Sequence, residues 1–182
     1  LLIGIAVGTA CGFLNGLLVT RLNLPPFIVT LGTLSIYTAI GLLYSGGASV
    51  GKNKMPAILN LMGNRFSIGP FRLTIGVVVV AVLAAVVAFV LSQTSWGRHL
   101  YAVGDDIEAA RLVGIQVDRV LLSVYTVAGL IYGFSAWVLI GRAGTASPNA
   151  IVGANLETIT AVVIGGTSLF GGRGGIPGTI LG

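Results

Sequence analysis

The stretch LTIGVVVVAVLAAVVAFVLSQ, residues 73–93, contains no Lys, Arg, His, Asp or Glu and is apolar on every side of a helix. At 1.5 Å per residue it reaches about 30 Å, the thickness of a bilayer's hydrocarbon core. A helix apolar all round has no face for water, so it belongs in lipid or in the core of a large protein. The rest of the chain chooses lipid. Of 182 residues, 55% are hydrophobic and 8% charged, where a soluble domain carries about a quarter charged residues. Two further uncharged runs, between Arg21 and Lys52 and between Arg119 and Arg142, are also long enough to cross. The sequence therefore predicts an all-α, polytopic transmembrane helix bundle.

The net charge of +5 reads as juxtamembrane Lys and Arg beside anionic lipid, with no nucleic-acid partner expected. Cys11 is the only cysteine and sits in an apolar run, so it reads as a small buried hydrophobe with no disulfide or metal framework. His99, next to Arg98, has no Cys, His or acid at metal-ligand spacing. With no paired carboxylates and no metal set, no catalytic residue is expected.

Working outward from residues 73–91, further spans are predicted over about 1–20, 27–44 and 120–141, with a half-helix at 156–165 and the start of another segment at 176–182. All of 1–182 reads as one transmembrane domain. The chain opens at Leu1 inside an apolar run, with neither a basic leader nor a cleavage pattern, and is expected to be a piece of a longer domain. Gly4, Gly8, Gly12 and Gly16 recur at every fourth residue of the first span and share one helix face. Such stripes let a neighbouring backbone approach closely in lipid. Gly129 and Gly133 repeat the spacing in the fourth span, and Gly174 and Gly178 repeat it near the end. All eight are expected to pack helices.

Polar residues inside the spans are candidates for a translocation pathway: Asn15, Thr30, Thr33 and Glu157. Each also has a plainer reading, an interhelical or backbone hydrogen bond for the first three and a first-turn acid for Glu157. Residues 45–72 are expected to form a polar loop. Gly46, Gly51 and Lys52 there imitate a phosphate-binding loop, but Asn53 replaces the required hydroxyl and no strand precedes. After the loop around Ser147-Pro148-Asn149, the half-helix breaks at GGTSLFGGRGG, residues 165–175. Short apolar segments interrupted by glycine suggest a broken or re-entrant helix, tolerated where it is buried in protein or lines a cavity. Charge does not orient the bundle: Arg21, Arg98, Arg111 and Arg119 fall on one side, and Lys52, Lys54, Arg65 and Arg72 on the other.

The segment 98–119 differs from all this. GDDIEAARLVGIQVDR, residues 104–119, holds four of the chain's five acids. Asp105 suits a helix N-cap, with Glu108 three residues on, Arg111 in the last turn and Gly114 as the stop. Asp118 suits a cap for the fourth span. Such a helix fits either a solvated connector or a protein-docking element, and spacing alone does not choose.

A resemblance does. YAVGDDIEAARLVGIQVDRV, residues 101–120, is similar to the cytoplasmic coupling segment of permease subunits of bacterial ABC importers of the ribose/xylose/galactose type, whose usual wording is close to Y-A-x-G-G-N-x-x-A-A-R-L-x-G-I. NGLLVTRLNLPPFIVTLGT (15–33) and ETITAVVIGGTSLFGGRGGIPGTILG (157–182) resemble the same family, in the same order. The chain departs at Asp105-Asp106, where the family usually has Gly-Asn. The resemblance implies a multi-pass protein of the bacterial inner membrane that moves a sugar by alternating access. It implies ATPase subunits holding ATP and magnesium outside this chain, a second permease subunit, identical or related, and a periplasmic sugar-binding protein. Residues 92–119 would face the cytoplasm and 45–72 the outside. Gly104, Asp105, Asp106, Glu108, Ala109, Ala110, Arg111, Leu112, Gly114 and Ile115 would contact the ATPase. The rival expectation is an ATP-independent secondary transporter or channel that uses the broken helix as its filter.

Overall fold

The computed structural model describes residues 1–182 apart from 69–70, 152 and 169–170, and apart from the side chains of 65–72. In chain order the elements are α1 (Leu2–Leu22), α2 (Pro26–Ser45), β1 (Val50–Gly51), α3 (Ala57–Asn60), β2 (Arg65–Ile68), β3 (Phe71–Thr74), α4 (Ile75–Gln93), α5 (Ser95–Asp105), α6 (Ile107–Leu112), α7 (Val117–Ala143), β4 (Thr145–Ala146), α8 (Ala154–Ile164) and α9 (Ile176–Leu181). Helices α1, α2, α4 and α7 are long and apolar enough to cross a membrane. The predicted spans agree with them to within a few residues. In α4 the only buried residue is Gly76, while Val77, Val82 and Phe89 are more than half exposed. Water would not tolerate so continuous an apolar surface, but lipid accepts it.

The chain forms two compact units, residues 1–79 with 122–150 and residues 80–121 with 151–182. In the first, α1 and α7 run antiparallel along a seam of glycines. A Cβ on Gly8 would lie 2.8 Å from the Gly129 carbonyl oxygen and 3.2 Å from the Gly133 Cα. One on Gly12 would strike the Tyr125 carbonyl and lie 2.8 Å from the Gly129 Cα, and one on Gly16 would lie 2.9 Å from Leu122. Gly129 and Gly133 return the contact against Gly8, Gly12 and Ile5. Gly4 is the exception to the predicted stripe, since a Cβ there would meet nothing within 4 Å. Its carbonyl oxygen still borders the seam, 3.5 Å from where a Cβ on Gly133 would sit, but that contact asks for no missing Cβ at Gly4 itself.

Pro25 and Pro26 start α2, with the latter in the first turn, where its missing N–H costs nothing. Tyr37 of α2 donates its hydroxyl to the Cys11 carbonyl of α1 at 3.4 Å. The segment 45–72 is more structured than the polar loop expected. Val50–Gly51 pairs antiparallel with Thr145–Ala146, and Arg65–Ile68 pairs with Phe71–Thr74 as a hairpin. The Gly46-to-Lys52 motif is thus spent on a helix end, a strand and a 3-10 turn at Lys52–Lys54, with no phosphate-loop geometry. Trp137 Nε1 donates to the Ile58 carbonyl at 3.0 Å, and buried Met62 sits against Gly141 of α7. Turn residues and polarity gave this segment a loop's composition, and tertiary seating on α7 supplied its structure.

In the second unit α8 and α9 cross with backbones in contact. A Cβ on Gly178 would strike the Gly165 carbonyl, and one on Gly165 would strike that of Gly178. Gly178 therefore packs helices as expected. Gly174 does not: α9 begins at Ile176, and Gly174 lies in the preceding loop with φ 151° and Thr167 beside it. The expected break is present between Ile164 and Ile176, with Leu169 and Phe170 outside the described residues.

Candidate functional site

The acid-rich segment folds as a corner of two helices. Thr94 opens α5: its Oγ1 accepts from the Gly97 amide at 3.2 Å and donates to the Val90 carbonyl at 2.6 Å. Gly97 allows the tight exit from α4, because a Cβ there would collide with the Leu91 carbonyl. Helix α5 starts before the predicted segment and ends at Asp105, so Asp105 is not the N-cap. That role falls to Asp106, whose Oδ1 accepts from the amides of Glu108 at 2.8 Å and Ala109 at 3.0 Å. The displacement by one residue has a simple cause. Asp105 is held helical as the last residue of α5, while Asp106 is extended (φ −151°, ψ 113°), the conformation an N-cap requires.

Asp106 also ties the helices together through its backbone. Its amide donates to the Ala102 carbonyl at 3.1 Å and its carbonyl accepts from the Ala110 amide at 3.0 Å. The stop is as predicted. Gly114 has φ 84°, its amide donates to the Arg111 carbonyl at 3.0 Å, and the Ile115 amide donates to the Ala110 carbonyl at 3.0 Å. These paired bonds form a Schellman motif, for which glycine is the natural residue. Asp118 does not precede the fourth span as a cap would; α7 begins at Val117, which leaves Asp118 as a first-turn acid.

Val103, Ala110, Val117 and Val120 are buried. On the outside, Leu112 is 89% exposed and Val113 74%, beside exposed Glu108, Ala109 and Arg111. The corner thus presents a small apolar patch with mixed charge at its edge. On another side Gly104 and Asp105 meet the break: a Cβ on Gly104 would lie 2.8 Å from the Gly172 amide nitrogen, and one on Gly172 would lie 2.9 Å from the Asp105 Cα. The Tyr101 hydroxyl donates to the Gly174 carbonyl at 2.9 Å. Tyr101, Gly171 and Gly172 were not foreseen as site residues, because their contact joins positions some 70 apart in the chain. The positive φ values of Gly171 (96°) and Gly172 (70°) have no sequence signal beyond the glycine-rich run itself.

The pathway candidates are not gathered into one site. Thr33 donates to the Val29 and Thr30 carbonyls and Thr30 to those of Pro26 and Phe27, so both serve their own helix. Glu157 is exposed in the first turn of α8, which starts from Gly153 without a side-chain cap. Asn15 is different. Its Oδ1 is buried with no hydrogen-bond partner among the described residues, costly wherever water is absent.

Four membrane-length helices, a broken pair and a capped helical corner define a multi-pass membrane protein. The family of permease components of branched-chain amino acid transport systems matches residues 1–182, and this chain belongs to that family. It is 51% identical over 182 residues to the fructose import permease protein FrcC of Rhizobium meliloti, covering 98% of this chain and 51% of the relative. The ribose import permease protein RbsC of Bacillus subtilis is 36% identical over 173 residues, 92% of this chain and 51% of the relative. The autoinducer 2 import system permease protein LsrC of Yersinia enterocolitica is 36% identical over 183 residues, 100% of this chain and 49% of the relative. The chain spans about half the length of these curated relatives. No solved structure matches. The resemblance to ABC sugar-import permeases is thereby borne out.

Proposed function

We propose that this chain is part of a permease subunit that moves a monosaccharide across the bacterial inner membrane by alternating access, driven by ATP hydrolysis in a separate subunit. The sugar class rests on those relatives whose names specify fructose, ribose and, in Haemophilus influenzae at 34% identity, galactose/methyl galactoside. The observation that carries the ATP-driven reading is the α6 corner. An isolated connector gains nothing from leaving Leu112 and Val113 in water, whereas a docking surface does. The two caps of α6 make that surface rigid, and a rigid surface can transmit a push.

In this reading α6 docks on an ATP-binding subunit that holds ATP and magnesium, and Arg111 and Glu108 line the contact. Residues 92–119 then face the cytoplasm and 45–72 the outside, where a periplasmic binding protein delivers sugar to this subunit and a second, identical or related, permease subunit. Helices α4 and α7, which flank the corner in sequence, carry the displacement, and glycine contacts permit helices to rock between packings. Among the pathway candidates Asn15 is the best placed to meet a sugar hydroxyl, since its buried carbonyl oxygen has no donor among the described residues.

The test is coupling. In proteoliposomes holding the complete transporter, Arg111→Glu and Gly114→Val are expected to lower uptake at least tenfold while ATP hydrolysis no longer responds to the loaded binding protein. Wild-type uptake and stimulation in both variants would remove α6 from the drive. Uptake indifferent to ATP altogether would favour a gradient-driven carrier or channel.

A further inference from the structure

We propose that Tyr101 is a positioning residue that couples the α5–α6 corner to the break between α8 and α9, so that a displacement of α6 moves residues 171–175. The inference rests on the reading of α6 as the surface an ATPase subunit pushes, and it names where the push goes next.

The corner can act as one lever. Asp106 links the last turn of α5 to the first turn of α6 by backbone bonds on both sides, and Val103 and Ala110 are buried. A lever needs a load, and two kinds of contact supply one. The Tyr101 hydroxyl bonds the Gly174 carbonyl at 2.9 Å. One turn further on, the Gly104–Asp105 backbone lies against Gly171 and Gly172 with no room for a methyl group: a Cβ on Gly171 would strike the Gly104 carbonyl, and one on Gly104 would lie 2.8 Å from the Gly172 nitrogen. Contacts between backbones cannot be relieved by a rotamer change, so they transmit displacement rather than absorb it.

The receiving segment is itself fastened to the broken pair. The Ser168 amide donates to the Arg173 carbonyl at 2.9 Å, and Gly174 lies against Thr167. The Gly165–Gly178 crossing then joins α8 to α9. Residues 171–174 are thus held by α5 on one side and by the ends of α8 and α9 on the other. A broken helix pair of this kind is tolerated at membrane depth when it is buried in protein or lines a cavity, so moving its break alters whatever path it borders.

Tyr101→Phe removes only the hydroxyl and keeps the ring. In the full-length transporter reconstituted with its ATPase subunits and binding protein, the readout is ATP hydrolysed per sugar taken up, using whichever of fructose, ribose or galactose the wild type transports fastest. We expect stimulated hydrolysis to stay within about twofold and the ratio to rise about fivefold, the worth of one hydrogen bond. Gly104→Ala should raise the ratio as well, and Gly4→Ala should not. A second measurement needs no sugar. On trapping with ATP and vanadate, amide exchange at Gly171–Gly175 should change in the wild type and not in Tyr101→Phe, while exchange in α6 changes in both. An unchanged ratio in Tyr101→Phe and Gly104→Ala, or equal exchange responses at Gly171–Gly175, would overturn the proposal. If Arg111→Glu uncouples the transporter and Tyr101→Phe does not, this link alone fails. If neither does, the reading of α6 fails first.

Discussion

The seam between α1 and α7 and the contact between α5 and the break are both made by glycine backbones, yet they differ in kind. In the seam, Gly8 and Gly12 meet Gly129 and Gly133, and Gly16 meets Leu122 and Tyr125, all from inside two regular helices. Their φ angles are ordinary, and the absent Cβ serves close approach alone. At the break, Gly171 and Gly172 sit against Gly104 and also hold φ values of 96° and 70°. There glycine answers two demands together, proximity and a left-handed backbone. The first arrangement spreads its requirement over several turns. The second concentrates it in two residues beside a hydrogen bond.

The largest effect expected anywhere in the chain follows from the seam. Gly12→Val would drive a branched side chain into the Tyr125 carbonyl and the Gly129 Cα, backbone atoms that can yield only if α1 and α7 part. A loss of about 3 kcal/mol is expected, the upper range of overpacking costs. The check is thermal stability of the purified protein in detergent. Gly4→Val sharpens it: the same change on the same stripe has no neighbour within 4 Å and should leave stability within about 0.5 kcal/mol. Equal losses in both would mean the seam is a property of helix α1 and not of its pairing with α7.

Gly172→Ala comes next. Its Cβ would lie 2.9 Å from both the Cα and the Oδ1 of Asp105, at a φ that alanine resists. Strain and contact together should cost about 2 kcal/mol, less than the seam variant. Its effect on coupled uptake should nevertheless be greater than its effect on stability, measured by comparing melting with ATP-driven uptake on the same preparation. A melting loss matched by no uptake loss would make this contact a second seam and erase the distinction.

Sequence revealed the seam and hid the contact for the same physical reason. A helix repeats every 3.6 residues, so glycines four apart announce a shared face before any partner is known. The missing partner could even have been guessed, since Gly129 and Gly133 carry the same spacing. Gly4 shares the face without needing an absent Cβ there, because periodicity shows a face and not how closely the neighbouring helix approaches at each turn. The membrane spans were legible from apolar length, and the α6 stop from Gly114. The N-cap was misplaced by one residue because Asp105 and Asp106 carry the same side chain, and only the length of α5, set by Thr94 and Gly97, decides between them. Tyr101 bonds a carbonyl 73 residues away, and nothing local to either residue encodes that.

Two smaller effects concern the corner itself. Gly114→Ala places a Cβ at φ 84° with nothing near it, so its cost is backbone strain alone, about 1.5 kcal/mol. Because α6 is short, the strain should appear as local fraying: faster amide exchange at Gly114 and Ile115, with little change in melting. A large fall in melting temperature would show that the corner is part of the global fold.

The smallest effect tests what the unusual Asp-Asp pair contributes. The family wording that residues 101–120 resemble has Asn where this chain has Asp106, and both residues can accept the amide bonds of an N-cap about equally well. Charge pulls in opposite directions here. The helix start favours a carboxylate, while exposed Asp105 and Glu108 next to it disfavour another negative group, and salt screens both terms. Geometry should therefore dominate. Asp106→Ala removes the acceptor for the Glu108 and Ala109 amides and should cost about 1 kcal/mol, seen as roughly fivefold faster exchange at those two amides. Asp106→Asn keeps the acceptor and should change that exchange by less than about twofold. If Asn proves as damaging as Ala, the carboxylate's charge holds the corner, and the difference between this chain and its family at residue 106 is functional rather than neutral.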